Sequence, residues 1–129
     1  MPISFDQNQQ FFHLKNHEIS YVIGIEKGKY LTHRYFGKTL SSYHGCNELQ
    51  RIDRGFATNP IPADRTFSLN ALPMETSTQG NGDHRIANYQ IRNQKGHNVT
   101  DFHFQDFDIN NGKKELTGLP SVRSAKTTT

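Results

Sequence analysis

The chain has 129 residues and a mass of 14.8 kDa, the size of one domain, and two would be crowded. Only 33% of its residues are hydrophobic, so a core is possible chiefly because nine Phe and five Tyr supply large buried areas. Its net charge of +3 comes from interleaved basic and acidic residues, which argues against nucleic-acid binding, and its apolar runs are too short for a transmembrane helix.

The N-terminal residues Met1-Pro2-Ile3-Ser4-Phe5-Asp6 lack the basic start and apolar run of a secretory signal, and a cytoplasmic location is expected. The single cysteine, Cys46, cannot form an internal disulfide and agrees with a reducing compartment.

Residues 3–6 and 11–15 read as short strands separated by a polar stretch at 7–10. From 18 to 26, Ile19, Tyr21, Ile23 and Ile25 alternate with Ser20, Gly24 and Glu26, the period of a strand with one buried face. Val22 breaks the pattern, so the second face is expected to be partly covered too. Lys27-Gly28 supplies a turn, residues 29–36 a return strand, and Gly37 its end.

Residues 41–65 contain two glycines and two prolines with few alternating apolar positions, which marks a long irregular loop. A short strand is expected at 66–69. A second loop follows through Gly80-Asn81-Gly82-Asp83, where a tight path with φ above zero is expected. Residues 88–92 and 98–109 read as a hairpin joined by the loop 93–96. The phase of the second strand slips between Val99 and Phe102 and again between Phe104 and Phe107, so a bulge or bend is expected near Asp101 and Gln105. Asn110-Asn111-Gly112 is another turn, residues 113–116 continue, and 121–129 read as an unpacked tail. The expected architecture is an all-β antiparallel sandwich spanning residues 1–120.

Seven histidines are spread along the chain without metal-binding spacing, and no metal or other cofactor is expected. Asp101, Asp106 and Asp108 alternate with Phe102, Phe104 and Phe107, the pattern of a solvated strand face rather than of paired acid–base groups. His44 is too near Cys46 in sequence for an activated thiol, and Gly80-x-Gly82 does not precede a helix that would cradle phosphate. The polar content that remains lies in the loops 43–65 and 74–85. Asp83 and Arg85 have the spacing to pair with each other and satisfy loop backbone.

The string Phe67-Ser68-Leu69-Asn70-Ala71-Leu72-Pro73-Met74-Glu75, continuing to Gly80-Asn81-Gly82-Asp83-His84-Arg85, resembles the N-terminal domain of bacterial α-galactosidases of glycoside hydrolase family 36. Tyr35-Phe36-Gly37-Lys38, Tyr89-Gln90-Ile91-Arg92 with Gly96 and Thr100-Asp101-Phe102, and Leu116-x-Gly118-Leu119-Pro120 agree with it in order and spacing. Asn70, Thr76-Ser77, His84 and Ile86-Ala87 depart from the family pattern, which has Asp, aromatic-Pro, an aromatic, and a small residue followed by Pro.

The resemblance implies a β-sandwich belonging to a larger supersandwich that packs on a catalytic (β/α)₈ barrel. In the complete enzyme it implies a retaining mechanism in which one aspartate forms the glycosyl-enzyme and another acts as acid and base. Neither aspartate is in this sequence, so no residue here is expected to be catalytic. It also implies α-galactosides of the melibiose and raffinose type as substrates, and a barrel domain or identical subunits, a tetramer in relatives, as partners. Any contact with sugar is expected from the Asp53–Arg54 loop or from Asp83 and Arg85. A carbohydrate-binding or assembly domain acting independently is the alternative.

Overall fold

The computed structural model describes residues 2–45, 49, 51, 53, 55–56, 58–110, 112 and 117–120. The expected elements at 113–116 and 121–129 therefore lie outside the described residues, as do Cys46 and Arg54. Among the described residues the fold is all-β and antiparallel: β1 (Ile3–Asp6), β2 (Phe11–Lys15), β3 (Ile19–Glu26) and β4 (Tyr30–Lys38) lie side by side in chain order.

Each turn is set by local chemistry. The Asp6 carboxylate accepts the Asn8 and Gln9 amides, both at 2.9 Å, and folds β1 back onto β2. Asn16 Oδ1 does the same for β2 and β3, accepting the amides of Glu18 and Ile19 at 2.8 and 2.7 Å. Between β3 and β4, Lys27 and Gly28 have φ of 51° and 66°, the paired positive values that match a turn to the strand twist. β4 runs two residues beyond the expected end, because Gly37 pairs with Ser20 and Lys38 with Ile19.

The burial of the sheet corrects the sequence expectation. Ser20 and Val22 are fully buried while Ile19 is 39% exposed, although the isoleucine side is the more apolar. Residues 40–43 fold back over the Ser20 side. The Leu40 amide donates to Ser20 Oγ, which also bonds His13 Nε2, and Phe11 meets Tyr43 edge to face at 5.0 Å. Burial, with the nearby Lys15 charge, lowers the His13 pKa from its ordinary value, so the ring is kept neutral.

The strand expected at 66–69 is instead a 3₁₀ turn, Leu69–Ala71. The amides of Ala71 and Leu72 reach back to the carbonyls of Ser68 and Leu69, which turns Leu69 and Leu72 toward one side. Both join Phe67 and Tyr30 in the main core. Residues 73–75 then line the outer edge of β4, with the His33 amide donating to Pro73 and the Glu75 amide to Leu31.

The strands expected at 88–92 and 98–109 are not formed, although the loop between them closes as expected through Gly96 N–H to Asn93 O at 2.9 Å. A strand is defined by its ladder, and neither segment has one among the described residues. Among the described residues, the backbone-to-backbone donors of 98–109 are Thr100, to Gln79, and Phe104, to Lys29. The expected irregularity near Asp101 and Gln105 thus has no ladder to interrupt. The register shift lies between Val22 and Ile23 in β3.

Candidate functional site

The loop after β4 is fastened to the β3–β4 hairpin by a chain of charges. Glu26, with a side chain only 10% exposed, accepts from the guanidinium groups of Arg34 and Arg51. Arg51 reaches Asp64 at 3.4 Å and lies over the Phe67 ring, 5.8 Å from its centre. Asp64 also takes Lys27 at 2.8 Å, and its Oδ1 accepts the Thr66 hydroxyl at 2.6 Å. The Lys27 bond, reinforced by those from Thr66, holds its carboxyl down at about 2. A buried carboxylate needs partners of this kind, and here their reach ties four segments together.

Beyond this anchor the loop points outward. Asp53 pairs with Arg65 at 3.2 Å, each side chain more than half exposed, and Phe56 has no cover at all.

The second loop is compact. Gly80, Asn81 and Gly82 have φ of 100°, 56° and 80°, the tight left-handed path expected from their sequence. A Cβ on Gly82 would stand 2.3 Å from Thr58 Cβ, so the two loops touch backbone to side chain. Asp83 follows, buried, with both carboxylate oxygens on Arg85 at 2.8 and 3.0 Å. Arg85 also donates to the carbonyls of Leu72 and Leu69 at 2.6 and 2.8 Å.

Between the loops lies an open cleft of about 450 Å³, lined by Phe56, Thr58, Ser68, Asn70, Gly82 and His84. The structure therefore brings Asp83 and Arg85 together and places Asp53 on the neighbouring loop, paired with Arg65. Phe56 was not among the expected site residues. Its only signal in the sequence is an aromatic in an irregular loop.

A third cluster joins Tyr21, His33 and Glu75. Tyr21 donates to one Glu75 oxygen and His33 Nδ1 lies 3.3 Å from the other. Burial first, then the Glu75 carboxylate, pushes the Tyr21 hydroxyl up to about 12.

Chemically, Asp83, Asp64 and Glu26 are each committed to cations. What faces the cleft is an aromatic ring with hydroxyl, amide and imidazole groups, a surface for hydrogen bonding and stacking rather than for acid–base exchange.

Residues 29–129 match the model of the glycosyl hydrolase family 36 N-terminal domain. The chain belongs to glycoside hydrolase family 36. It is 38% identical to α-galactosidase AgaA of Geobacillus stearothermophilus, over 95% of this chain and 17% of that protein. It is 41% identical to α-galactosidase 1 of Pediococcus pentosaceus, over 93% of this chain and 16% of that one. Among solved family 36 structures, α-galactosidase AgaB of Geobacillus stearothermophilus superposes with a TM-score of 0.82 at 39% identity, over 94% of this chain and 16% of that one. The chain thus spans about a sixth of the length of each of these relatives. Among the described residues no helix is long and apolar enough to cross a membrane.

Proposed function

We propose that this chain supplies the non-catalytic N-terminal β-domain of an α-galactosidase that removes terminal α-galactosyl groups from melibiose- and raffinose-type sugars. Family membership carries the reading, and AgaA of Geobacillus stearothermophilus in complexes with stachyose and raffinose supports the substrate class. The two aspartates of the retaining mechanism reside in the barrel, and the domain's own task is to shape the approach to that site. It does so from a cytoplasmic enzyme, packed on the barrel and against identical subunits.

The exposed Asp53–Arg65 pair and the uncovered Phe56 ring support a contact between this loop and sugar. Asp53 accepts sugar hydroxyls, Arg54 donates to them, and Phe56 stacks on the apolar face of the ring. Asp83 and Arg85 act from beneath, holding the turn against which Thr58 packs.

Purified chain is expected to hydrolyse no aryl α-galactoside, and turnover that tracks with this polypeptide would refute the assignment. In ¹⁵N spectra, raffinose presented together with a family 36 barrel is expected to shift the amides of the 53–56 loop; unmoved resonances would remove the loop from the sugar site. The cleft itself favours a second reading, a carbohydrate-binding surface acting alone. Calorimetric titration of the isolated chain with galactose, melibiose and raffinose separates the two.

A further inference from the structure

Two backbone bonds fasten the start of the 98–109 segment: the Thr100 amide donates to Gln79 O at 3.0 Å and the Phe104 amide to Lys29 O at 2.7 Å. Between those bonds, Asp101, Phe102 and His103 face the start of β4 and the 76–83 loop across a gap, a cavity of about 140 Å³. Its inner wall is apolar and belongs to the core, with Tyr30 and Leu69 buried and Met74 packed against them. Its mouth is polar, formed by Thr76, Thr78, Asp101 and His103. The hydroxyls of Thr76 and Thr78 have no hydrogen-bond partner among the described residues. Asp101 Oδ2 lies 3.0 Å from His103 Nε2 and its Oδ1 3.5 Å from the Tyr30 hydroxyl, which leaves acceptor sites on both oxygens unspent.

Size and chemistry together select an occupant. A cavity of this volume admits one six-membered ring. A plain hydrocarbon ring would cover the two threonine hydroxyls and the Asp101 carboxylate without replacing their bonds to water, which is costly. A ring that carries hydroxyls satisfies them. The charges at the mouth offset one another, Lys29 and His103 against Asp101, while Asp83 in the wall is already held by Arg85. A neutral ligand suits that balance. A pyranose joins the required parts, an apolar C–H face and a girdle of neutral hydroxyls.

We propose that this cavity binds a single neutral pyranose, its C–H face against Tyr30 and Met74 and its hydroxyls on Thr76, Thr78 and Asp101. The cavity shares no lining residue with the cleft at Phe56, so it is a second sugar site and stands whether or not the 53–56 loop touches substrate.

The test is a ¹⁵N titration of the purified chain with D-galactose and, separately, D-glucose, with benzene as the ring that lacks hydroxyls. Saturable shifts at Thr76, Thr78 and residues 101–104 are expected with at least one hexose, at a Kd of about 1 mM. The isosteric double variant Thr76→Val, Thr78→Val is expected to bind about tenfold more weakly at an unchanged urea midpoint. Asp101→Asn, made independently, should weaken binding as well. Shifts confined to the 53–56 loop, or none with either hexose, overturn the proposal. So does binding of benzene in place of the hexoses, or hexose binding that both sets of substitutions leave intact.

Discussion

Arg85 grips Asp83 through two parallel bonds, Nε to Oδ1 and Nη2 to Oδ2, at 2.8 and 3.0 Å. Two further bonds reach the carbonyls of Leu72 and Leu69, so one guanidinium joins the Gly80–Asp83 turn to the end of the 3₁₀ turn. A fork of this shape is matched by Arg alone.

Removing one partner strands the other. Arg85→Met leaves the Asp83 carboxylate, 2% exposed, without its cation. A loss of about 3 kcal/mol is expected, read as a lower urea midpoint with an unchanged slope. Arg85→Lys keeps the charge but not the fork, and its loss is expected to be intermediate. If Arg85→Met melted like the parent chain, the pair would not be structural.

Gly82 is the contact through which that clamp reaches the cleft. Gly82→Ala meets both a φ of 80° and the Thr58 side chain, and is expected to cost about 2 kcal/mol or more. Gly28→Ala, at φ 66° with open space around it, is expected to cost only about 1 kcal/mol. The double change Gly82→Ala, Thr58→Gly should recover the steric part, and a double-mutant cycle measures it.

Glu26 holds the loop anchor, and Glu26→Gln should free Arg34 and Arg51 from a nearly buried charge. The expected loss is about 2 kcal/mol. Faster amide exchange at Thr66 and Phe67 should accompany it, because the Asp64 corner hangs from Arg51 and Lys27. Exchange that quickens elsewhere but not at that corner would contradict the chain of charges.

Stability should fall in two acid steps. His13 titrates below its ordinary 6.5 in the fold, so its contribution is complete above pH 6.5 and is lost as pH drops through the lowered value. Asp64 contributes fully above 3.8, and that part is lost as pH falls toward about 2. Urea midpoints from pH 8 to pH 3 should therefore decline first near the histidine range. In His13→Gln the first step should vanish while the second persists.

The first four strands were legible because each carries its own turn chemistry: Asp6, Asn16 and Lys27-Gly28 dictate reversals at short range. The positive-φ path at Gly80–Gly82 was legible for the same reason. The side of the sheet that is most deeply buried was not, since Ser20 is bonded by Leu40, a contact between segments 20 residues apart, and Phe11 meets Tyr43 on the same side. Of the site, the pairing of Asp83 with Arg85 follows from their spacing, while the partnership of Asp53 with Arg65 and the exposure of Phe56 required the folded loop.

An aromatic-dependent core is set by the sequence itself, as are the hairpins that join β1 to β4 and the family string from Phe67 to Arg85. These are local or compositional properties, and short-range hydrogen bonding enforces them. Tertiary structure alone decided that residues 98–109 lie on Phe5 and Phe12 without becoming a strand. Alternation makes a segment competent to be a strand. The ladder needs a continuous row of a neighbour's amides and carbonyls, and among the described residues this segment reaches two carbonyls from separate segments, Gln79 and Lys29.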